Sequence, residues 1–392
     1  VNIVARAPGA TPVIAPSSLA GEGAAIHAAT GSYSDDASID SRRCKRFHTG
    51  RREKQEMSSP MRAIVCAVLL LAATGPARAQ PVADFYRGKT VNVLIGVGVG
   101  GEYDLQARLV ARHIGKHIPG NPTVVPQNMT GAGGIKMANF LFAQAARDGT
   151  NIGMLGNNFP ATQAVGGQGV QFDSVKFGWL GSMAPVVETM AVLTSTGVKT
   201  VDDLRQTEIV AGASGKGAIT YIYPSMMNDF LGTKFKIVTG YPGGNQINLA
   251  MERSEVQARN NTWSSWKATK PNWLRDKFIT IIVQAGPRVP DLDAPSVEAL
   301  AKTPDDRKLI ELVTSGTHLG RPMATTPDVP DDRLKALRAA YRATMADPEF
   351  RAESARAGFE VEPVHGEEMQ TIVERIMSTP KELASRAKHL VE

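Results

Sequence analysis

The sequence predicts an α/β fold of two lobes with a ligand cleft between them, and three observations carry that expectation. From Asp84 onward, short apolar runs alternate with helical stretches, the order of an α/β protein. Four of those runs are followed by glycine-rich turns: GVGVGGEYD, NMTGAGG, GASGKG and YPGGN. The unit of strand, glycine loop and helix occurs twice in each half, without a repeat of fixed period. Two similar lobes whose loops face a shared cleft account for that arrangement.

Taking the elements in order, residues 91–95 read as a strand that runs into the glycine loop at 96–101. A helix follows over 104–118, with Leu105, Ala107, Leu109, Ala111, Ile114 and Ile118 along one side. Pro119-Gly120 breaks it. Residues 123–126 form a second strand before NMTGAGG at 128–134, and a helix is expected over 135–146. Residues 151–155 are a third strand ending in Gly156-Asn157-Asn158. Strand-like pieces at 179–183 and 190–194 flank Pro185 and mark a crossing to the second unit. There the strands are 208–211, 236–238 and 256–259, the loops are 212–217 and 241–245, and helices cover 219–231 and 246–252. A strong strand at 278–283 is expected at the return crossing. The end of the chain is helical, over 330–346, 348–357, 366–378 and 380–391. The domains expected are therefore one discontinuous lobe, 84–190 with 278–392, and a second lobe, 191–277.

The N-terminal region reads differently. Residues 1–56 are rich in small residues and end in a basic run, and read as upstream sequence or a disordered leader. Residues 57–79 have the pattern of a cleavable signal peptide: Arg62, an apolar run of eleven residues at 63–73, and the small-x-small site Ala77-Arg78-Ala79. Eleven apolar residues are too few for a span, which takes about 20. A periplasmic destination follows. Both cysteines, Cys44 and Cys66, lie in this region, so the mature chain would hold no disulfide and no thiolate site. Ten of the 44 Lys/Arg and six of the 38 Asp/Glu also lie before residue 80. The remainder is nearly neutral, without the basic footprint that nucleic acid requires.

The glycine loops place bare backbone N–H groups where an anion can reach them. Gly96, Gly98 and Gly101 spell GxGxxG after a strand. A dinucleotide also needs an acid about 20 positions on, and no Asp or Glu occurs between Asp104 and Asp148. Neither NMTGAGG nor GASGKG ends in the GK[ST] of a phosphate loop. No GxSxG elbow is present; Ser214 sits in GASGK. His113 and His117 lie four apart on one helix and read as solvated side chains, and Asp104 reads as a helix N-cap. Two readings stay open for Arg259: a bidentate partner for a ligand carboxylate, or a structural ion pair. Asn260, Asn261, Thr262 and Trp263 read either as cleft lining or as packing.

An ordered set of motifs resembles a known family. They are YRGKTVNVLIG with GGEYD at 100–104, NMTGAGG, RDGTNIGMLGN at 147–157, GASGKGA, YPGGN, and a late tract of LGRPM, DVP, LRAAY and DPEF at 319–350. From Phe85 onward the chain resembles the substrate-binding proteins of tripartite tricarboxylate transporters, the Bug-type extracytoplasmic solute receptors. The resemblance implies a two-lobed periplasmic-binding-protein fold that captures a small carboxylate through loop N–H groups. Carried onto this chain, the ligand-binding positions are Gly100, Gly101, Glu102, Tyr103 and Asp104, then Thr130, Gly131, Ala132, Gly133 and Gly134, with Asn157 and Asn158. The other lobe offers Ala213, Ser214, Gly215, Gly217, Tyr241, Pro242 and Gly243. Arg259 and Asn260 join them from the reading above. The family often has proline before the glycine pair and small residues after it; here Val99 precedes and Glu102-Tyr103 follow. Glu102 is left either to accept from an amino, amide or hydroxyl group of the ligand or to point to solvent.

The expected function is that of a solute receptor, monomeric and without catalysis, cofactor or metal. It would deliver a small organic acid or related metabolite to membrane permease subunits. An enzyme on the same scaffold and a periplasmic ligand sensor are the alternatives.

Overall fold

The computed structural model describes residues 79–391. The leader, the two cysteines and the signal peptide up to Arg78 lie outside the described residues. Helix α1 (Ala79–Tyr86) leads into β1 (Thr90–Ile95). Then follow α2 (Glu102–Ile114), β2 (Thr123–Asn128), α3 (Ile135–Ala143), β3 (Asn151–Met154), α4 (Phe159–Ala164) and β4 (Gly178–Ser182). Strands β1, β2 and β3 are parallel. Their connections carry helices, as parallel pairing demands. The sheet is completed by β10 (Met323–Thr325), antiparallel to both β3 and β4, and by β11 (Val364–His365). The strand order is β11-β4-β10-β3-β1-β2.

The second sheet has the order β7-β6-β8-β5-β9. It is built from β5 (Glu188–Leu193), β6 (Ile209–Gly212), β7 (Phe235–Val238), β8 (Ala258–Thr262) and β9 (Ile279–Ala285). Its helices are α5 (Val201–Gln206), α6 (Ile219–Met226), α7 (Gly244–Glu252), α8 (Trp263–Thr269) and α9 (Pro271–Arg275). The strong apolar run around residue 280, expected at the return crossing, lies inside this sheet, antiparallel to β5 from Glu188↔Ala285 to Leu193↔Ile279. The chain returns later, through α10 (Pro304–Thr314) to β10. The two crossings run side by side, and the Val186 N–H donates to the Thr317 carbonyl at 2.9 Å.

Helix α2 buries Ala107, Val110, Ala111 and Ile114, a 3.6-residue stripe that packs on β1 and on α11 (Asp331–Ala346). Leu105 lies off that stripe and is exposed. Asp104 is not the N-cap: the helix opens two residues earlier, with Gly101 at the cap. At the third helical position Asp104 instead accepts the Gly100 N–H at 3.0 Å and pairs with Arg108.

His113 and His117 are not free solvated side chains. His113 meets Glu353 at 2.6 Å and His117 meets Asp347 at 2.8 Å, with Lys116 also on Asp347. These contacts fasten α2 and the turn that follows it (Gly115–His117) to α12 (Pro348–Arg356), where Asp347 caps the helix. The Lys116 ammonium, followed by the His117 ring, holds the Asp347 carboxyl well below the usual carboxylate range. A depressed folded pKa contributes stability above the unfolded value, about 3.9, and that stability is lost as pH falls through the folded value. Asp347→Asn is therefore expected to lower the thermal midpoint at pH 7 and to flatten its fall below pH ~4. Parallel midpoint-against-pH curves for variant and parent would contradict this.

Candidate functional site

The loops that follow the carboxyl ends of β1, β2, β3, β6 and β7 converge, as ligand sites do in open α/β sheets. Between them lies a cavity of about 80 Å³, well above the roughly 10–15 Å³ that one water needs. Four helices begin at its wall: α2, α3, α6 and α7. Their N-cap residues are Gly101, Gly134, Ala218 and Gly243, and none supplies a side-chain cap. The first-turn N–H groups of a helix have no intrahelical acceptor, and the helix dipole makes that end positive. Elsewhere Thr200, Thr303 and Asp347 cap their helices with side-chain oxygens. At the cavity, glycine or alanine stands in that place. The turn before α3 takes the Ile135 and Lys136 N–H groups on the Ala132 and Gly131 carbonyls, while the starts of α2, α6 and α7 keep backbone donors for an incoming oxygen.

The two lobes touch around this cavity. The Gly98 N–H donates to the Pro242 carbonyl at 2.9 Å, and Asn158 Nδ2 donates to the Gly217 carbonyl at 2.8 Å. Gly133 packs so closely on Ala218 that a Cβ there would lie 2.7 Å from its nitrogen. A positive φ of 66° at Gly133 restricts the position to glycine a second time.

Four charged side chains line the cavity: Glu102, Glu188, Arg259 and Arg321. Glu102 neither faces solvent nor stands free for a ligand. Its Oε1 accepts from Gln106 at 3.1 Å and Ser264 at 2.6 Å. Its Oε2 accepts from the Thr262 hydroxyl and from Arg321 Nη2 at 2.5 Å and Nε at 3.1 Å. The glycine loop, the end of β8 and the return crossing meet on this one carboxylate. Burial opposes the Arg321 charge, yet the Glu102 carboxylate beside it holds the arginine pKa above its ordinary value.

Arg321 also stacks over the Tyr103 ring at 4.0 Å. The Tyr103 hydroxyl accepts the Asn157 N–H at 3.1 Å and donates to Asn157 Oδ1 at 3.2 Å. Burial raises its pKa despite Arg321. Arg259 Nη1 donates to the Gly244 carbonyl at 2.6 Å and Asn248 Oδ1 at 2.7 Å, and its guanidinium lies over Trp266. Burial pushes the Arg259 pKa down to about 9.

Of the residues expected at the site, Gly100, Gly101, Glu102, Tyr103, Gly133, Gly134, Asn158, Ser214, Gly243, Arg259 and Asn260 line the cavity, as does Asn261. The others lie off it. Asp104 shapes the first loop from behind, bonded to Gly100, Arg108 and Asn128. Asn157 stands behind Tyr103 and donates to Glu188 at 3.1 Å. Thr130, Gly131 and Ala132 are exposed. Ala213, Gly215, Gly217, Tyr241 and Pro242 shape the second-lobe loops without lining the cavity. Thr262 is bound to Glu102, and Trp263 donates to Asp291 at 3.0 Å.

The sequence reading missed Glu188 and Arg321. Each carried a signal: an acid opening the apolar strand ETMAVL, and an arginine inside LGRPM. No described histidine lines the cavity, and Ser214 Oγ lies 3.3 Å from Thr220 Oγ1. A wider groove of about 740 Å³ near Lys308, His318 and Arg375 is lined by none of the unpartnered buried polar atoms.

This architecture is that of the two-lobed periplasmic binding proteins. It is similar to the periplasmic binding protein BugD, with a TM-score of 0.63 at 20% identity over 77% of this chain and 98% of that one. It is also similar to MatC from Rhodopseudomonas palustris with bound malate, with a TM-score of 0.59 at 18% identity over 78% of this chain and 99% of that one. In sequence, the chain is 30% identical over 213 residues to a UPF0065 protein in the TAR-I ttuE-ttuC' intergenic region of Agrobacterium vitis. That match spans 50% of this chain and 60% of the relative's length. No protein-family profile matches. Within the two-lobed class, the resemblance of this chain is to the Bug and TctC type of binding protein.

Proposed function

We propose that the protein is an extracytoplasmic solute receptor that captures a small carboxylate or related metabolite and presents it to a tripartite tricarboxylate-type permease. One observation carries this reading: helix starts without side-chain caps, two from each lobe, face one cavity. Oriented N–H dipoles there meet ligand oxygens without any chemical step. Because both lobes supply them, a ligand adds contacts in the closed state that it lacks in the open one. That difference shifts the population toward closure. MatC, similar in fold, was solved with malate in place.

The protein works in the periplasm as a monomer and needs no catalytic group. The setting of Ser214 away from any described histidine supports binding over hydrolysis. Isothermal titration of the purified protein against dicarboxylates, hydroxy acids and acidic amino acids is expected to give saturable one-to-one binding for at least one class. Folded protein that releases no heat with any of them would overturn the reading.

A further inference from the structure

Four buried side-chain atoms on cavity-lining residues have no hydrogen-bond partner: Glu188 Oε2, Asn260 Oδ1, Arg321 Nη1 and Asn261 Nδ2. Two are acceptors and two are donors. All four residues are more than nine-tenths buried. Buried polar atoms are nearly always paired in folded proteins, so a cluster of exceptions at one cavity needs an explanation.

The cluster does not satisfy itself. Arg321 Nη1 stands 3.9 Å from Glu188 Oε1, too far for a hydrogen bond. The Arg321 charge is already engaged by Glu102 through Nη2 and Nε. Glu188 receives one bond, from Asn157, on Oε1. Glu188 is thus a buried carboxylate with one oxygen unanswered.

We propose that the ligand is a small carboxylate that also carries an amine, whose N–H groups donate to Glu188. This inference rests on the receptor reading above and narrows it. A plain dicarboxylate brings only acceptors. It would leave Glu188 Oε2 and Asn260 Oδ1 unpaired and set its own charge against the Glu188 carboxylate. An amino acid brings both kinds of group: its carboxylate takes the helix-start N–H groups, Arg321 Nη1 and Asn261 Nδ2, and its ammonium takes Glu188. Two acids and two arginines line the cavity. A ligand with a compensating positive group therefore disturbs its charge balance less than a dianion does.

The test is titration of the purified protein with matched pairs: aspartate against succinate, and glutamate against glutarate, with malate as the hydroxyl control. The amine-bearing member of the pair that binds is expected to bind about 10- to 100-fold tighter, the range of a buried charge-assisted hydrogen bond. Glu188→Gln, which keeps the shape and the Asn157 bond, is expected to shrink that ratio to within about threefold. Succinate or malate binding as tightly as aspartate would overturn the proposal and leave the receptor reading standing. Binding of neither series would remove both. Should Glu188→Gln fold poorly, the parent's own ratio still decides the matter. An unchanged ratio in a well-folded variant would rule out Glu188 as the group that reads the amine.

Discussion

Replacing Arg321 with methionine is expected to cost about 3–5 kcal/mol of unfolding free energy, the loss typical when one partner of a buried ion pair is removed. Arg321 and Glu102 are 4% and 2% exposed at their side chains. Without the guanidinium, Glu102 keeps Gln106, Ser264 and Thr262 but has no counter-charge. The pair also ties the first glycine loop to the return crossing, so the damage extends to the base of the cleft. Urea unfolding measures it. Removing both charges, as Glu102→Leu with Arg321→Met, is expected to recover much of the loss, because the desolvation of each ion disappears with the pair. A single-variant loss below about 1 kcal/mol would show that water reaches Glu102.

Substituting alanine for Gly215 is expected to weaken ligand binding about 5- to 150-fold, with the midpoint of the ligand-free protein little changed. A Cβ on Gly215 would lie 2.7 Å from the Gly133 nitrogen and 3.1 Å from the Ala132 carbonyl carbon. Both belong to the opposite lobe and are backbone atoms with no rotamer to move. Gly215 itself is outside the positive-φ region, so alanine strains nothing within its own lobe. The cost falls on closure alone, at the ~1–3 kcal/mol of an overpacked contact. Titration with whichever ligand the parent binds gives the affinity, and a thermal scan gives the stability. Unchanged affinity would mean that the ligand is held without this contact being made.

Much of the fold was legible because its signals are local. The glycine loops and the strands before them were placed by a few adjacent residues, and the terminal helices by their Pro and Gly boundaries. Strand β10 has three residues, too few for a period to show. The run at 278–283 was read as a strand, yet its sheet depends on pairing with β5, which no feature of its own sequence announces. Asp104 was read as a cap because it precedes the apolar stripe, whereas the helix opens at Glu102 on a glycine cap.

The sequence by itself determined the α/β order and the loops that wall the cleft. A turn that needs glycine, or a helix start, is written in neighbouring residues. The state of Glu102 was decided only by the tertiary structure. In the sequence it is an acid inside an anion-binding loop, open to ligand or solvent. In the fold its charge is met by Thr262 and Arg321, 160 and 219 residues away. The acid of the cavity that keeps one oxygen without a partner is Glu188, at the start of a buried strand. A carboxylate's partners are set by the packing of distant segments, and its neighbours in the chain carry no record of them.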